Sequence, residues 1–516
     1  MSKIFSQNDE GVVVVIGSGA GGGTISRELA LAGINVVCLE AGTQVNHIVT
    51  DVQKMFPKLT WLDKRIGSGD LSENFPVWSG KNVGGTTLHW TASAPRFPES
   101  EFTPTRYFGH LEDCSIVDWP IPYSEMQHYY AIAEKNMGVS GTNGWPKLPP
   151  NNNFLVLEAG ARKIGLEQVE LGNMAINSVS QGGRPACMQL GFCVSGCAIN
   201  AKWTSANTPI AQALQTDHFE LRPESFVLRI EHDDRGRADS VVYADKNGNL
   251  QRQKARAVCV AANSIDTPRI LLNSDSTRFG SGLANQSGRV GRHYIKHVFG
   301  IVTAIMPHPV HFNRGTDNIG IVHDFVAGDP VRGYSGGFKF EQVSFDPTTL
   351  SKLARPGAWG SEYAGQLGKY DHFAALLVVG EDPSQATNQV SLHPSEKDQY
   401  GMPIPIVHYV DHENSREMRK FALGKARDLY ESLGSEDVFF GPPPPATHNM
   451  GTCRMAEKID DGVCDPRGRT FDIPNLFVSD GSQFPSSGTS NPTITIVALA
   501  IRQAEHIRDL MGRKEL

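Results

Sequence analysis

The chain has 516 residues, hydrophobic residues make up 40 % of it, and its formal net charge is −7. This length favours two to four domains, and so small a charge gives no indication of a nucleic-acid or anionic-membrane partner. No run of about 18 apolar residues occurs, so no membrane span is predicted, and eight cysteines in such a length do not suggest a disulfide scaffold.

The N-terminal segment "MSKIFSQNDE" has neither the apolar core of a signal peptide nor a twin arginine. We therefore expect a cytoplasmic protein, which would be periplasmic only if it were exported together with a partner that carries a signal.

Residues 11–40 have the pattern strand, turn, helix, strand, and they contain Gly17, Gly19 and Gly22 in the order G-x-G-x-x-G. The first glycine permits a tight turn, the second lets backbone N–H groups approach a pyrophosphate, and the third lets helix and strand pack closely. Glu40 ends the second strand and can accept hydrogen bonds from a ribose diol. This segment predicts a dinucleotide site.

The middle of the chain predicts further elements. Residues 219–250 indicate a β-meander with turns at "DDRGR" and "DKNGN", and residues 257–274 a buried strand followed by a helix. Residues 300–435 mix strands with a long helix, "FFGPPPPAT" reads as a stiff linker, and a last helix begins at about residue 492. Chemical motifs at both ends of the chain indicate that one domain is discontinuous.

Two C-terminal segments, "THNMGTCRM" (447–455) and "VSDGSQFPSSGTSNPTITIVALAI" (478–501), accompany "NVGGTTLHW" and "AANSIDTPRILL". Together with the first motif they resemble the glucose-methanol-choline (GMC) family of flavin oxidoreductases over essentially the whole chain. The resemblance implies an α/β fold, with a Rossmann-type FAD-binding domain (1–115, 200–299 and 440–516). A substrate-binding α+β domain with the cysteine loop (116–199 and 300–439) is inserted into it.

The resemblance assigns His448 as the catalytic histidine and Asn491 as its partner. A base with a pKa near 7 suits the removal of an alcohol proton, and an amide can stabilise the developing alkoxide. Asn491 before Pro492 is also the pattern of an ordinary helix N-cap. Pro492 is predicted at the first position of a helix whose N-terminus stabilises reduced flavin. The predicted cofactor-binding residues are Gly17, Gly19, Ala20, Gly22, Glu40, Ala41, Gly84, Gly85, Thr86, His89, Val227, Asp480, Gly481, Pro492 and Thr493.

The segment "VGGTTLHWTASAPRF" (83–97) resembles the flavin loop of pyranose oxidases and of bacterial FAD-dependent glucose dehydrogenases. Gly84 and Gly85 would let the backbone lie against the isoalloxazine ring. His89 matches the histidine that is covalently linked to flavin in pyranose oxidases, and a non-covalent role is the alternative.

Cys187, Cys193 and Cys197 lie within eleven residues, "CMQLGFCVSGC". This spacing resembles the large subunit of those glucose dehydrogenases, in which three thiolates hold a [3Fe-4S] cluster that passes electrons to a cytochrome subunit. The residue after the third cysteine is Ala198, where those proteins have proline. Unmetalled thiols or a disulfide are the alternatives.

The predicted function is FAD-dependent oxidation of a secondary hydroxyl of a sugar or glycoside to the ketone or lactone, by hydride transfer to flavin N5. A small subunit and a cytochrome-type acceptor are possible partners. The alternatives are an oxidase that uses O2, a dehydrogenase of a non-sugar alcohol, and a redox-silent lyase of the hydroxynitrile-lyase type. An NAD-dependent dehydrogenase would explain the first motif but not the C-terminal pair.

Overall fold

A computed structural model describes residues 3–516. None of the helices in this range combines the length and the apolar character that a membrane span requires. The strands in chain order are β1 (Val13–Ile16), β2 (Val36–Leu39), β3 (Ile66–Gly69), β4 (Val169–Leu171), β5 (Phe219–Arg222), β6 (Phe226–His232), β7 (Ala238–Ala244), β8 (Leu250–Lys254), β9 (Ala257–Val260), β10 (Val298–Ile305), β11 (Gly320–Val322), β12 (Phe338–Gln342), β13 (Phe373–Gly380), β14 (Gln389–Lys397), β15 (Pro403–Tyr409), β16 (Asp437–Phe440) and β17 (Leu476–Val478). The α-helices are α1 (Ala20–Leu31), α2 (Val52–Leu59), α3 (Thr105–Phe108), α4 (Tyr123–Met137), α5 (Asn152–Lys163), α6 (Ala211–Ala213), α7 (Asn263–Leu272), α8 (Pro347–Ala354), α9 (Gly360–Gly368), α10 (Glu413–Ser432) and α11 (Thr493–Gly512).

A five-stranded parallel sheet has the order β17-β9-β1-β2-β5. All four residues of β1 and all four of β2 are buried, because a parallel sheet is covered on both faces. The strand expected at residues 12–16 is present as β1. The sheet also contains β9 from the middle of the chain and β17 from its C-terminal part, so the N-terminal and C-terminal motifs meet at one sheet.

The predicted meander is present as the antiparallel sheet β6-β7-β8. The expected helix after a buried strand is α7, directly behind β9. Two expectations shift by a few residues. Phe439 and Phe440 end strand β16 instead of starting the proline linker, and α11 begins at Thr493 with Pro492 as its N-cap residue.

A six-stranded antiparallel sheet has the order β16-β10-β13-β12-β11-β4. Helices α5 and α10 pack on one of its faces, where Phe338 and Phe340 of β12 share a core cluster with Met418. Because side chains alternate along a strand, Lys339 and Glu341 of β12 point to the opposite face. The predicted domain boundaries stay a prediction, and the small sheet β14-β15-β3 joins strands from both proposed domains.

Candidate active site

A large cleft lies at the carboxyl ends of β1, β2, β9 and β17, where ligands bind in open parallel sheets. It encloses about 1330 Å³ between protein atoms, including the part that opens to solvent. The predicted cofactor residues that line it are Gly17, Gly19, Ala20, Glu40, Ala41, Gly85, Thr86, Val227, Asp480, Gly481, Pro492 and Thr493. Gly22, Gly84 and His89 do not line it.

The glycine-rich turn has the geometry that each glycine was expected to serve. Gly17 has a φ of +94°, and a Cβ at Gly22 would lie 1.9 Å from the Gly17 carbonyl oxygen. Gly22 therefore acts in packing helix against strand, away from the cleft. Gly19 is the N-cap residue of α1 and makes no side-chain cap, so the first N–H groups of the helix are available to a phosphate.

Glu40 is held by the glycine-rich turn itself. Its carboxylate accepts hydrogen bonds from Ser18 N (2.9 Å), Ser18 Oγ (2.7 Å) and Gly42 N (2.8 Å). Burial raises the pKa of Glu40, and the hydrogen bonds from Ser18 lower it. The carboxylate is thus fixed at the edge of the cleft with acceptor capacity left for a diol.

The flavin loop is tied to the same turn, since Gly84 N donates to Ser18 Oγ at 2.9 Å. Its His89 is buried beside Trp78, with ring centroids 5.0 Å apart, and burial lowers the pKa of His89 to about 3. Within residues 3–516, His89 Nε2 has no hydrogen-bond partner. The covalent link of His89 to flavin stays a prediction.

The cleft fits FAD on three observations. No heavy atom lies within 4 Å of the point where a Gly19 Cβ would stand, so the backbone there is open to a close ligand. Trp78 lines the cleft, and its buried Nε1 finds no acceptor in the described chain. Trp61 and Phe226, which the sequence did not single out, also line it and offer flat apolar surfaces to a ring.

Asp480 lines the cleft and ties the segment after β17 to the start of α7. Its carboxylate accepts from Asn263 N (2.9 Å), Thr267 Oγ1 (2.6 Å) and Ser482 N (2.8 Å). Burial raises the pKa of Asp480, and these hydrogen bonds lower it. Its part in cofactor binding stays a prediction.

His448 lines the cleft and lies against a second histidine that the sequence gave no reason to select. The Nδ1 atoms of His448 and His297 are 2.8 Å apart, and Phe299 packs against the His448 ring at 5.8 Å. Burial lowers the pKa of His448 to about 4, while Glu341 raises it and Lys339 lowers it. The ring is therefore neutral at neutral pH.

Asn491 is 5 % exposed and makes no helix cap, which removes the N-cap interpretation. Its Oδ1 accepts from Lys339 Nζ (2.9 Å) and Ser93 Oγ (3.0 Å). Lysine has no acceptor, so the amide oxygen faces Lys339 and the amide NH2 faces the other way. That NH2 lies 3.5 Å from Glu341 Oε2.

Lys339 and Glu341 form an ion pair of 2.9 Å with 1 % and 2 % exposed side chains. Glu341 also accepts from Asn318 Nδ2 at 2.7 Å. The pair links the surroundings of His448 to Asn491, although no hydrogen bond joins those two residues directly within residues 3–516. The alternation in "FKFEQ" is typical of a strand with one polar face. The same pattern is expected whether that face is exposed to solvent or buried, so it does not identify Lys339 and Glu341 as site residues.

Cys187, Cys193 and Cys197 line one small, mainly apolar cavity. All eight cysteines are free thiols, and in the described part of the chain no three His, Cys, Asp or Glu side chains lie close enough to hold one metal ion. Behind the cavity, buried Lys202 donates from Nζ to the carbonyl oxygens of Leu88 (2.9 Å), Trp90 (2.8 Å) and Cys193 (2.5 Å). Lys202 thus ties the cysteine loop to the flavin loop.

Comparison with known proteins agrees with this architecture. The chain matches the GMC oxidoreductase family over residues 13–299 and 384–500. It is 32 % identical to 2-methyl-1,2-propanediol dehydrogenase of Mycolicibacterium austroafricanum, covering 97 % of this chain and 95 % of that protein. It is 26 % identical to the fructose dehydrogenase large subunit of Gluconobacter japonicus, covering 96 % and 97 %.

Among solved structures, pyridoxine 4-oxidase from Mesorbium loti superposes with a TM-score of 0.69 at 16 % identity, covering 96 % of this chain and 99 % of that one. This likeness concerns the fold. The family match extends over both ends of the cleft, including the glycine-rich turn and the His448 and Asn491 segments. The chain therefore belongs to the GMC family of flavin oxidoreductases and is an enzyme that acts on hydroxyl groups.

Proposed function

We propose that this enzyme oxidises a secondary hydroxyl of a sugar or glycoside to the ketone or lactone, with His448 as base and Asn491 as its partner. The observation that carries the proposal is the buried polar cluster in which both residues stand, beside a cleft that fits FAD. When bound, FAD supplies a hydride acceptor at flavin N5.

Burial lowers the pKa of His448 to about 4, below the value near 7 expected from the sequence, so the ring is unprotonated and able to accept the hydroxyl proton at neutral pH. Its place on the cleft wall supports a role as base for a substrate bound there. Glu341 provides a nearby negative charge that stabilises the ring once it is protonated.

Asn491 is suited to support the alkoxide. Lys339 and Ser93 occupy its amide oxygen, and one hydrogen of its NH2 points to Glu341 Oε2 at 3.5 Å, so one hydrogen of the NH2 is left to donate. A donor held in advance costs no reorganisation when negative charge develops on the substrate oxygen. The N-terminus of α11 also lines the cleft, and its dipole favours negative charge there.

A polyhydroxyl substrate is supported by the 26 % identity to a fructose dehydrogenase large subunit. Lys339, Glu341 and Asn318 are buried and bond to one another, so their part is to orient Asn491. A second candidate is a small diol, which is favoured by the 32 % identity to a 2-methyl-1,2-propanediol dehydrogenase.

The electron acceptor is proposed to follow from the cysteine cavity. The support for a [3Fe-4S] cluster is that three thiols, the ligand type such clusters take, line one cavity. Such a cluster would supply one-electron transfer to a protein acceptor. Exposed Val49, Met188 and Leu190 surround this region and would suit a small subunit or a cytochrome-type partner. Without the cluster, O2 is the proposed acceptor.

The decisive experiment is anaerobic mixing of the purified flavoprotein with a panel of sugars, glycosides and small diols. We expect at least one sugar to bleach the flavin absorbance, and turnover is then followed with O2 and with an artificial acceptor in parallel. Bleaching by diols alone would favour the second candidate. A flavin that no hydroxyl compound reduces would overturn the proposal and favour a lyase.

A further inference from the structure

His297 stands directly before β10 and bridges two different kinds of neighbour. Its Nε2 faces the carbonyl oxygens of Gly488 (3.0 Å) and Ser487 (3.3 Å). Its Nδ1 faces Nδ1 of His448 at 2.8 Å. The ring is buried. Through Nε2 it contacts the segment that precedes Asn491, and through Nδ1 it contacts the proposed base.

These contacts determine where the protons are. A carbonyl oxygen only accepts, so Nε2 of His297 must carry a hydrogen. Burial lowers the pKa of His297 well below its ordinary value, and the charges of His448 and Lys339 act in the same direction. A neutral imidazole has one N–H, so Nδ1 of His297 is bare and can only accept.

The hydrogen between the two rings therefore belongs to His448. With its single N–H at Nδ1, neutral His448 has a bare Nε2. If His448 carried its hydrogen on Nε2 instead, His297 would have to carry its own hydrogen on Nδ1. The bare Nε2 of His297 would then face the two carbonyl oxygens, and neither oxygen would have a donor. Among residues 3–516, no side chain or backbone group bonds to Nε2 of His448.

We propose that His297 is a positioning residue that holds His448 in the Nδ1–H tautomer, so that Nε2 is the atom that receives the substrate proton. This inference rests on the proposed function of His448. In the step, the substrate O–H bond breaks and an Nε2–H bond forms, while the Nδ1–H bond to His297 persists. The other charged groups that face His448 are Lys339 and Glu341.

The test uses two substitutions of matched shape. His297→Asn keeps an acceptor near Nδ1 of His448. His297→Leu introduces a side chain of almost the same shape as Asn and removes that acceptor. We expect His297→Leu to slow anaerobic flavin reduction by roughly 10²–10⁴-fold, the range of one lost general base, with substrate binding little changed. We expect His297→Asn to recover most of that rate.

The tautomer itself is read without turnover, by nitrogen-15 NMR of histidine-labelled oxidised flavoprotein. The His448 signals are assigned by their loss in His448→Gln. We expect a protonated Nδ1 and a bare Nε2 in the wild type, and the reverse in His297→Leu. A protonated Nε2 in the wild type overturns the inference, whatever the variants do and whether or not they fold.

The two proposals fail separately. If His448→Gln reduces flavin at the normal rate, His448 is not the base, although the NMR result still decides its tautomer. If His448→Gln is slow but His297→Leu is as fast as the wild type, His448 remains the base and the role of His297 is rejected.

Discussion

In the proposed reaction, His448 differs from an ordinary surface histidine because it is buried between His297 and the polar face of β12. We expect His448→Ala to bind FAD normally, since the cleft walls are otherwise unchanged, and to slow anaerobic flavin reduction by roughly 10²–10⁴-fold. Stopped-flow absorbance measures this rate. Reduction at a near-normal rate would contradict the role of His448 as base.

The pH profile gives an independent prediction for the same residue. Burial lowers the pKa of His448 to about 4, so the unprotonated ring predominates at every pH above that value. The rate of flavin reduction should therefore stay level from pH 8 down to about pH 5 and fall tenfold per pH unit only below about pH 4. An acid limb centred at the ordinary histidine value of 6.5 would show that the free enzyme's His448 is solvated.

The amide of Asn491 is oriented by hydrogen bonds from Lys339 and Ser93. We expect Asn491→Ala to cost on the order of 10²–10³ in the rate of flavin reduction, as for one lost oxyanion donor. The thermal unfolding temperature should also fall somewhat, because the buried donors of Lys339 and Ser93 lose an acceptor, so the rate is measured well below the unfolding transition. A large fall in stability with unchanged turnover would reverse this interpretation.

Strand β12 is the element that brings charge into the site. Lys339→Met removes one partner of a fully buried ion pair, which costs about 3–5 kcal/mol because Glu341 is left uncompensated. The double variant Lys339→Met, Glu341→Gln removes both charges, and we expect it to regain most of that stability in thermal unfolding.

Activity should separate from stability in this series. Both variants lack the Lys339 donor and leave only Ser93 to orient the Asn491 amide oxygen, so both should remain slow in flavin reduction. Lys352→Met, which alters an exposed lysine of α8, is the control for the loss of a lysine. Recovery of both stability and rate in the double variant would mean that Lys339 does not orient Asn491.

At the scale of the whole molecule, the cysteine cavity and the cleft are joined through Lys202, which bonds to both loops. If the cysteine cavity holds a cluster, anaerobically purified protein should contain about three irons per chain, as the formula [3Fe-4S] requires. Cys193→Ser should then abolish electron transfer to a cytochrome-type acceptor and leave flavin reduction by substrate intact.

Cys114→Ser is the matched control, since Cys114 is a partly exposed thiol that does not line the cysteine cavity. Iron-free protein with full activity toward O2 would reject the cluster. The three thiols would then be packing residues, and the enzyme would belong with the pyranose-oxidase-like members of the family.

The features that depend on residues close together in the sequence could be predicted without the structure. The tight turn at Gly17, the packing at Gly22 and the acid at the end of β2 are local requirements, so the dinucleotide cleft was predictable with its fold class. His448 and Asn491 could be selected from the sequence because each sits in a short motif that resembles the family, and their roles stay predictions. The exact ends of β16 and α11 were off by one or two residues, since local patterns define termini weakly.

Only the tertiary structure decided how these residues are oriented. His297 lies 151 residues from His448, and Lys339 lies 152 residues from Asn491, so no local pattern pairs them. Along a strand, alternation distinguishes two faces but does not say whether the polar face meets water or a buried cleft. The contacts in the folded chain settle that question, because Lys339 and Glu341 are 1 % and 2 % exposed and bond to each other and to Asn491.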